Sequence, residues 1–341
     1  MNIFGYCRWC YNNGLNLWNK EYENGNKPNW RKIRDLLKTD LPEWSDGYPK
    51  QIVDTACEHL GNAFSKFFSK DADYPKFKSR HNTKQSFELY RKNDSSIRIR
   101  NKKWLLQKEE IKISENLRFN ATIKRLTCSK VGEKYYISLV FDYELPKPED
   151  NGTLIGLDWG VRNKKGEGNY FTGNNGETFN LVELYEYEKR IEFRQKCLSR
   201  KIKGSNRYYK AKAKLYRSWE ILNNIKRDSQ NKLVAELVKT YSTIAMENLK
   251  FVNMTSYISN KNRSKFRYSN SEIREQLKRK AFKVVFADTY FPSSQLCSQC
   301  GKRHYEMRDE KIREFKCSCG LLLNRDINAA RNILSVASKN I

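Results

Sequence analysis

The sequence lacks the long apolar runs that membrane proteins need. Nowhere in its 341 residues do about 18 apolar residues follow one another, the length that spans a bilayer as a helix. The chain also does not open with a charged and then apolar leader that ends in a small-residue cleavage site. These absences argue against a membrane-spanning or secreted protein, and we expect a soluble protein of the cytoplasm.

Acidic residues are scarce relative to basic ones. The chain has 66 Lys and Arg against 39 Asp and Glu, which gives a formal net charge of +27 and a sequence pI near 9.6. A folded chain tolerates such an excess best beside a polyanion, and nucleic acid is the natural candidate. Aromatic residues make up 13% of the chain, and the 20 Tyr among them offer flat faces for stacking on bases, although most single aromatics belong in a core.

The cysteines do not suit a disulfide framework, because their number, nine, is odd and no secretory leader accompanies them. Cys57, Cys128 and Cys197 are scattered singly and predict ordinary buried thiols. Cys7 and Cys10 form a CxxC pair inside an apolar helical pattern, with no second pair nearby. We favour core thiols there over a metal or redox site, which would need partners that the neighbouring sequence does not offer.

The N-terminal part of the chain has helical periodicity. Residues 4–70 predict mainly helix, including a second run over 49–68, and one face of the first helix carries Tyr6, Cys10, Leu15 and Trp18. The segment YPKFKSR at 74–80 then alternates aromatic residues with cations, as segments that follow a nucleic-acid backbone do. This pattern predicts nucleic-acid contacts by Lys76, Lys78 and Arg80.

Strand patterns follow, and then an alternation of strand and helix. Short alternating runs over 86–143 predict a small antiparallel sheet or barrel, and LPKPEDNG at 145–152 predicts a domain boundary. Beyond it, strands are predicted in TLIGLD, STIAM and KVVFAD, two long basic helices over 181–240, separated near Gly204, and a closing helix in INAARNIL. This is an α/β layout.

Three acidic residues lie where an α/β fold exposes side chains at the ends of strands or helices: Asp158 in GLDWG, Glu247 in AMENL and Asp326 in NRDINAA. The first two end apolar runs that belong in the middle of a sheet, where an isolated carboxylate is costly unless a cation accompanies it. The third belongs in the first turn of the last helix, where the helix dipole favours negative charge. Three converging carboxylates suit two Mg²⁺ ions about 3.5–4 Å apart, which activate water and stabilise the leaving oxygen of a phosphodiester. Each acid alone also fits a helix cap or a surface ion pair.

Two close cysteine pairs, separated by a loop, form a metal-binding pattern near the C-terminus: Cys297 and Cys300 in CSQCG, and Cys317 and Cys319 in CSCG. Four thiolates suit one tetrahedral Zn²⁺, and Gly301 and Gly320 allow the tight turns. The second pair has one intervening residue instead of two, so His304 is an alternative ligand if the tighter turn fails. Since four protein ligands leave no open position on the metal, we expect a structural role.

At this point the motifs resemble a known family. GLDWGVRN, IAMENLKF, PSSQLCSQCG with FKCSCGL, and NRDINAARNI occur in the order and approximate spacing of the TnpB family of transposon-encoded RNA-guided nucleases, relatives of the type V CRISPR effectors. Upstream, FGYCRWCYNNGL, PKQIVDTACEHLGNAFSKFF and YPKFKSRHNTKQSF resemble the family's helical recognition segment and the entry to its wedge barrel. The resemblance therefore covers most of the chain.

The resemblance implies a multidomain fold with α/β and α+β parts. These would be a helical recognition segment at 1–83, a wedge β-barrel at 84–150, and an RNase H-like RuvC domain at 151–341 with a zinc module inserted at about 292–323. It implies a DNA endonuclease whose target is selected by base pairing with a guide RNA. Such a protein would be associated with the nucleoid when it is bound to DNA. The guide RNA and its heteroduplex with the target DNA would contact the basic helices of 181–240 and the helical and barrel segments before residue 150. The resemblance makes the acids catalytic magnesium ligands and the four cysteines zinc ligands.

Two departures from the family pattern stand out. Family members usually begin with a β-strand ahead of the FGYCRWC-like helix, whereas this chain opens almost directly on that helix. The barrel would then lack a strand, which bears on guide binding. After GLDWGVRN the family tends to continue into an apolar strand, whereas here KKGEGNYFTGNNGE is polar and Gly-rich. We expect the second strand of the RuvC sheet to be short or displaced toward 169–171.

Two rival functions stay open on sequence alone. One is an RNA-guided DNA binder that represses without cutting, a fate usually marked by the loss of an acid, whereas all three acids are present here. The other is a guide-independent transposase or resolvase that acts on DNA junctions through the same fold. The sequence does not define the guide, the flanking motif, the cleavage pattern or the oligomeric state.

Overall fold

The computed structural model describes residues 3–80, 84–91, 97–106, 109–132, 134–144, 146, 148–160, 169–248, 270–309 and 311–338. The chain divides into two compact units, Met1–Leu145 and Pro146–Ile341. Both mix helices with sheet, so the chain is a mixed α/β protein. Every described helix is too short or too polar to cross a bilayer.

Three helices open the first unit: α1 (Ile3–Glu23), α2 (Trp30–Thr39) and α3 (Gln51–Phe68). The buried face of α1 contains the four residues predicted for it, since Tyr6, Cys10, Leu15 and Trp18 are all buried. Asn29 caps α2 with its side-chain oxygen, which accepts hydrogen bonds from two backbone amides of the first turn. The helical prediction for the N-terminal part is thereby confirmed.

The strands of the first unit form two antiparallel sheets of three strands. These strands are β1 (Lys84–Tyr90), β2 (Arg98–Arg100), β3 (Lys103–Leu106), β4 (Glu109–Lys112), β5 (Thr122–Val131) and β6 (Lys134–Asp142). One sheet has the strand order β1-β5-β6, and the other has the order β2-β3-β4. Phe87, Trp104 and Leu126 of these strands are buried in one hydrophobic core together with side chains of the helices. The alternating runs thus form antiparallel strands, as their period of two predicts.

The second unit is built on a five-stranded sheet. Its strands are β7 (Leu154–Trp159), β8 (Phe171–Gly173), β9 (Thr178–Phe179), β10 (Thr243–Glu247) and β11 (Lys283–Ala287). They lie in the order β11-β10-β7-β8-β9. β7, β10 and β11 are parallel, whereas β8 and β9 pair antiparallel. The strand after β7 is therefore short, as predicted, and residues 161–168 before it lie outside the described residues.

The described residues of the second unit also form four α-helices: α4 (Tyr185–Ser199), α5 (Asn206–Thr240), α6 (Asn270–Lys280) and α7 (Arg325–Ser338). α4 and α5 are the two predicted basic helices, and Gly204 between them has a φ of 91°, a conformation that glycine adopts without strain. α7 packs on β7 and β10 at a very close approach. A Cβ atom on Gly156 would overlap the carbonyl oxygen of Ala330 and lie 2.8 Å from the Cβ of Leu334.

A small module between β11 and α7 carries the four C-terminal cysteines. Its hairpin pairs β12 (Glu314–Lys316) with β13 (Leu322–Asn324). Phe315, Met307 and Cys297 form a separate small core there. Because so few apolar side chains are buried, an additional cross-link such as a metal ion would stabilise a module of this size.

Candidate metal centres

The strand register brings two of the three acids together. Met246 of β10 lies opposite Leu157 of the parallel strand β7, so Glu247 and Asp158 are neighbours at the carboxyl ends of adjacent strands. Both side chains are half-buried. This position at the end of central strands is the one that the apolar runs before each acid predict.

The third acid lies on a helix that packs on the same sheet. Asp326 lies in the first turn of α7, where the side-chain oxygen of Asn324 accepts a hydrogen bond from the Asp326 amide at 2.8 Å. α7 lies across β7, the strand that carries Asp158. Arg313 forms an ion pair with the Asp326 carboxylate.

The pKa of Asp158 is affected by burial and by the two other acids. Burial raises the pKa of Asp158 well above its usual range, and the charges of Glu247 and Asp326 raise it further, against a lowering effect of Arg325 and Arg313. Burial also raises the pKa of Glu247, although the hydrogen bond from Ser293 opposes this shift. A divalent cation at this edge would relieve both the burial and the repulsion.

The three acids do not form a tight cluster of ligand atoms. Among the residues that the structure describes, the four cysteines are the one group of three or more His, Cys, Asp or Glu whose ligand atoms lie within 4.8 Å of one another. The acids are candidate metal ligands because of the burial and the like charge at Asp158.

The cysteine cluster fits one tetrahedral zinc ion. Sγ of Cys297 lies 3.6 Å from that of Cys319, Sγ of Cys300 lies 3.5 Å from that of Cys317, and all four are within 4.8 Å of one another. Four sulfurs at about 2.3 Å from one zinc ion would be roughly 3.8 Å apart. The backbone bends around the pairs as predicted, since Gly301 has a φ of 74° and Gly320 a φ of 91°.

His304 lies beside this cluster and is not one of its members. Its Nε2 is 3.3 Å from Sγ of Cys317, its Nδ1 is 2.9 Å from the Glu306 carboxylate, and its ring packs edge-on against Phe315. Because four sulfurs already form the group, the alternative role of His304 as a replacement ligand is not needed. Its contact instead places a hydrogen-bond partner on one sulfur.

Two buried amides of α7 connect the two centres. The Asn328 side chain accepts from the Ser298 amide and donates to the Leu296 carbonyl, at 2.9 and 2.7 Å. Asn332 donates to the Ser293 and Leu296 carbonyls at 2.8 and 2.7 Å. The Ser293 hydroxyl in turn donates to Glu247 at 2.7 Å. One face of α7 thus binds the loop that leads into Cys297, and this loop includes Ser293, whose hydroxyl donates to Glu247.

These supporting residues were not predicted from the sequence. The sequence does contain a pattern that indicates the asparagines. Asn324, Asn328 and Asn332 follow one another at a spacing of four, which puts three side-chain amides on one face of a helix. Ser293 and Arg313 carry no comparable sequence signal. Their contacts depend on which segments the fold brings together.

The residues predicted to contact nucleic acid lie in the first unit. The Lys78 ammonium lies 3.8 Å from the centre of the Tyr11 ring, and its burial lowers its pKa. Lys76 is exposed and lies 3.6 Å from Asp73, and Arg80 is also exposed. Lys76 and Arg80 are therefore open to solvent, whereas Lys78 packs against its own unit.

The CxxC pair of α1 consists of core thiols, as we favoured. Cys7 and Cys10 are buried and free, and burial raises the pKa of both. Cys57 and Cys128 are buried as well, and burial raises their pKa values to about 12 and about 11. Cys197 is half-buried.

Comparisons with known proteins agree with this layout. A family model described as "Probable transposase" (OrfB_IS605) matches residues 128–257, and one described as "Cas12f1-like, TNB domain" matches residues 250–333. The second match spans the cysteine module, and its first residues, 250–269, lie outside the described residues.

Two curated relatives cover nearly the whole chain. "Putative RNA-guided DNA endonuclease InsQ" of Escherichia coli (strain K12) is 29% identical over 97% of this chain and 86% of its own length. A "Putative RNA-guided DNA endonuclease" of Streptomyces pristinaespiralis is 30% identical over 90% of this chain and 74% of its own length.

A solved structure shares the fold. The cryo-EM structure of the Cas12f1-sgRNA-target DNA complex matches 96% of this chain and 80% of its own chain, with a TM-score of 0.56 and 15% sequence identity. By architecture the chain is therefore a mixed α/β protein of the Cas12f1-like fold, with a four-cysteine module that suits zinc. The curated relatives identify the family within this fold, and the chain belongs to the TnpB family of transposon-encoded proteins.

Proposed function

We propose that this protein is a DNA endonuclease that is guided by a bound RNA and hydrolyses phosphodiester bonds of target DNA with two Mg²⁺ ions. The observation that supports the proposal is the parallel pairing of β7 with β10, which makes Asp158 and Glu247 neighbours, together with the raised pKa values of both carboxyl groups. The relatives named as RNA-guided DNA endonucleases, and the fold shared with a complex of RNA and DNA, support the same function.

Each acid would have the same basic role, which is to hold the ions with a carboxylate oxygen. Bound Mg²⁺ supplies an activated water and stabilises negative charge on the leaving oxygen. Asp158 and Glu247, on adjacent strands, would both be ligands, and Ser293 donates a hydrogen bond to Glu247. Arg313 forms an ion pair with Asp326 and would orient that carboxylate.

We assign 1–83 to a helical recognition segment, 84–150 to a wedge barrel, and 151–341 to an RNase H-like RuvC domain with the zinc module inserted at about 292–323. The two antiparallel sheets of the first unit support the second assignment, and the five-stranded sheet with α7 supports the third. The four cysteines would hold one structural Zn²⁺.

The guide RNA and its target DNA would be the partners of this enzyme. The net charge of +27 supports a partner that is a polyanion. Base pairing would read the sequence, while the protein would contact the backbone and a short flanking motif.

The test uses the protein together with the RNA that copurifies with it. That RNA is sequenced, and the protein is mixed with duplexes that contain the complementary sequence beside randomised flanks. We expect Mg²⁺-dependent cutting of a subset of duplexes, and its complete loss in Asp158→Ala. Asp288→Ala is the matched control, because Asp288 follows the next parallel strand at the same edge but is exposed. It should cut normally.

Two outcomes would replace the proposal with a rival. RNA-loaded protein that binds its complementary duplex in Mg²⁺ but never cuts it would be a guided DNA-binding protein. Protein that carries no RNA, yet cuts DNA junctions, would be a guide-independent transposase or resolvase.

The two metal centres should respond differently to substitution. Cys297→Ser should lower both the zinc content and the yield of folded protein, since Cys297 is a ligand and a core residue of the small module. Asp326→Ala should leave both unchanged and abolish cutting. Equal loss of folded protein in the two variants would contradict the separate roles, and metal analysis with circular dichroism measures both properties.

A further inference from the structure

A pocket lined by aromatic rings lies in the first unit, which contains none of the residues discussed so far as metal ligands. It has a volume of about 490 Å³, within the range of ligand pockets. The first half of α1 and the turn after α2 form its walls: Gly5, Tyr6, Arg8, Trp9, Asn12, Asn13, Trp44 and Tyr48.

The rings form a corner that suits a flat ligand. The planes of Trp9 and Tyr48 are inclined by only 12° and 20° to that of Tyr6, so these three rings lie nearly parallel. Trp44 stands at 80–86° to all three, with ring centres 5.5–6.3 Å away. A planar heterocycle could lay its face on one set of rings and its edge against the other, and both are favourable aromatic geometries.

Trp44 is the accessible part of this corner. It is 53% exposed although three other aromatic rings touch it, whereas Tyr6 is only 1% exposed. The indole is thus held in a fixed orientation by its neighbours and still offers half of its surface. A preorganised aromatic surface of this kind loses little conformational freedom on binding.

The rim of the pocket is polar and carries positive charge. Arg8 lies there, with Nη1 3.3 Å from Oε1 of Gln85, and the Asn13 side chain donates to the Trp9 carbonyl at 3.0 Å. The set of residues that lines the pocket includes no acid, although Glu43 and Asp46 flank Trp44 in sequence. The charge at the rim therefore favours an anionic ligand over a cationic one.

The pocket is also tied to the loop of aromatic residues and cations at 74–80. The Asn12 side chain donates to the Lys78 carbonyl at 3.0 Å and accepts from the Lys78 amide at 2.8 Å. Both ends of this amide are used, so the loop is fixed beside the pocket. The exposed cations Lys76 and Arg80 on the loop are suited to phosphates that flank a bound base.

We propose that this pocket binds one unpaired nucleobase of an RNA or DNA strand, stacked against Trp44, with the neighbouring phosphates near Arg8 and the 74–80 loop. Stacking on an aromatic face accepts any base, so the contact would anchor the strand without reading its sequence. The inference rests on the proposed function only in expecting a nucleic-acid strand on this unit.

The experiment measures binding of the full-length protein to single-stranded RNA and DNA oligonucleotides of the same sequence by fluorescence anisotropy. Trp44→Ala should weaken binding of the strand that uses the pocket by about 5- to 100-fold, the usual range for one lost base stack. Trp44→Phe, which keeps an aromatic face, should retain most of the affinity. Tyr22→Ala is the matched control, because Tyr22 is a 67% exposed aromatic residue of the same helix outside the pocket, and its affinity should be that of wild type.

A second measurement separates stacking from charge. Because Trp44→Ala removes no phosphate contact, the slope of log affinity against log salt concentration should stay at the wild-type value. An oligonucleotide with abasic sites throughout should bind the wild type and Trp44→Ala equally. Loss with RNA only would assign the base to the guide, and loss with DNA only to the target.

Three results would overturn the inference. They are unchanged affinity of Trp44→Ala for both strands, an equal loss in Trp44→Phe, and displacement of the oligonucleotide by a proline-rich peptide that no longer acts on Trp44→Ala. None of these depends on cutting. A wild-type protein that never cuts, but loses affinity in Trp44→Ala, would contradict the proposed function and leave the pocket assignment in place.

Discussion

A single hydroxyl group orients one of the three acids. Ser293 donates to Glu247 at 2.7 Å, and its own carbonyl is held by Asn332 of α7. The hydrogen bond favours the charged form of Glu247 against the burial that raises its pKa. Ser293 is therefore a positioning residue for a proposed metal ligand.

Ser293→Ala should slow Mg²⁺-dependent cutting at least about tenfold, since hydrogen bonds to charged groups contribute about 1.5–3 kcal/mol. The loss should shrink as the Mg²⁺ concentration rises, because the main defect is a less well placed ligand. Ser335→Ala is the control, as Ser335 makes only a local hydrogen bond within α7. A tenfold loss that is independent of Mg²⁺ concentration would contradict the positioning role.

The thiols should divide by burial when they are alkylated at pH 8. Burial raises the pKa of Cys57 to about 12 and that of Cys128 to about 11, so both remain protonated and slow to react. Zinc removal by a chelator should expose Cys300 and Cys319, which lie at the surface. Mass spectrometry of peptides after a brief iodoacetamide pulse measures this order, with denatured protein as the fully labelled control. Rapid labelling of Cys7 or Cys10 in native protein would contradict their core assignment.

At the residue scale, the sequence predicted side chains whose chemistry shows in their immediate neighbours. The cysteine pairs are recognisable because zinc needs thiolates at short spacings, and the acids because each follows or opens an apolar element. Arg313 and Ser293 were missed, because each meets its acid only through the tertiary fold. The aromatic corner was missed for the same reason, since Trp44 is 35 residues from Trp9.

At the scale of elements, the period of the apolar residues predicted most helices and strands. The two basic helices separate at Gly204 as expected, and β7, β10 and β11 occupy the predicted apolar runs. Period alone does not say which strands pair or which helix covers them. The contact of α7 with Gly156 is of this second kind, because it depends on two segments that are far apart in the chain.

Gly156→Ala should destabilise the protein by about 3 kcal/mol, because the added methyl group would meet the backbone of α7, which cannot move aside as a flexible side chain can. Gly14→Ala is the control, since its methyl group would lie 3.3 Å from the end of the Leu60 side chain. We expect that variant to lose less than about 1 kcal/mol, helped by the helix propensity of Ala. Urea denaturation followed by circular dichroism measures both, and equal effects would contradict the close approach.

At the scale of the whole molecule, the positive charge is concentrated as well as large. No acid occurs between residues 193 and 219, a segment that contains ten Lys and Arg. This segment spans the end of α4, the turn at Gly204 and the start of α5, and it also exposes Phe193 and Tyr209. Cations and exposed aromatic faces together are typical of surfaces that bind nucleic acid.

The affinity for duplex DNA should fall steeply with salt, with a slope of about −0.9 in log–log form for each phosphate that is neutralised. Replacing the exposed Lys201, Lys203, Arg207 and Lys210 with Gln should make the slope shallower by about 3 to 4. The matched control replaces four lysines that already pair with carboxylates, namely Lys103, Lys124, Lys232 and Lys278. The same change of slope in both variants would argue against a localised basic surface.

The position of α7 has a consequence for the order in which the protein becomes active during its synthesis. Asp158 and Glu247 leave the ribosome early, but Asp326 and the amides that hold the Ser293 loop belong to a helix that is translated only after residue 324. Under the proposed function, a nascent chain would be unable to damage the DNA around it until that helix has emerged and docked. Cutting would thus be prevented for as long as the chain is being translated, and the first unit could fold during this time.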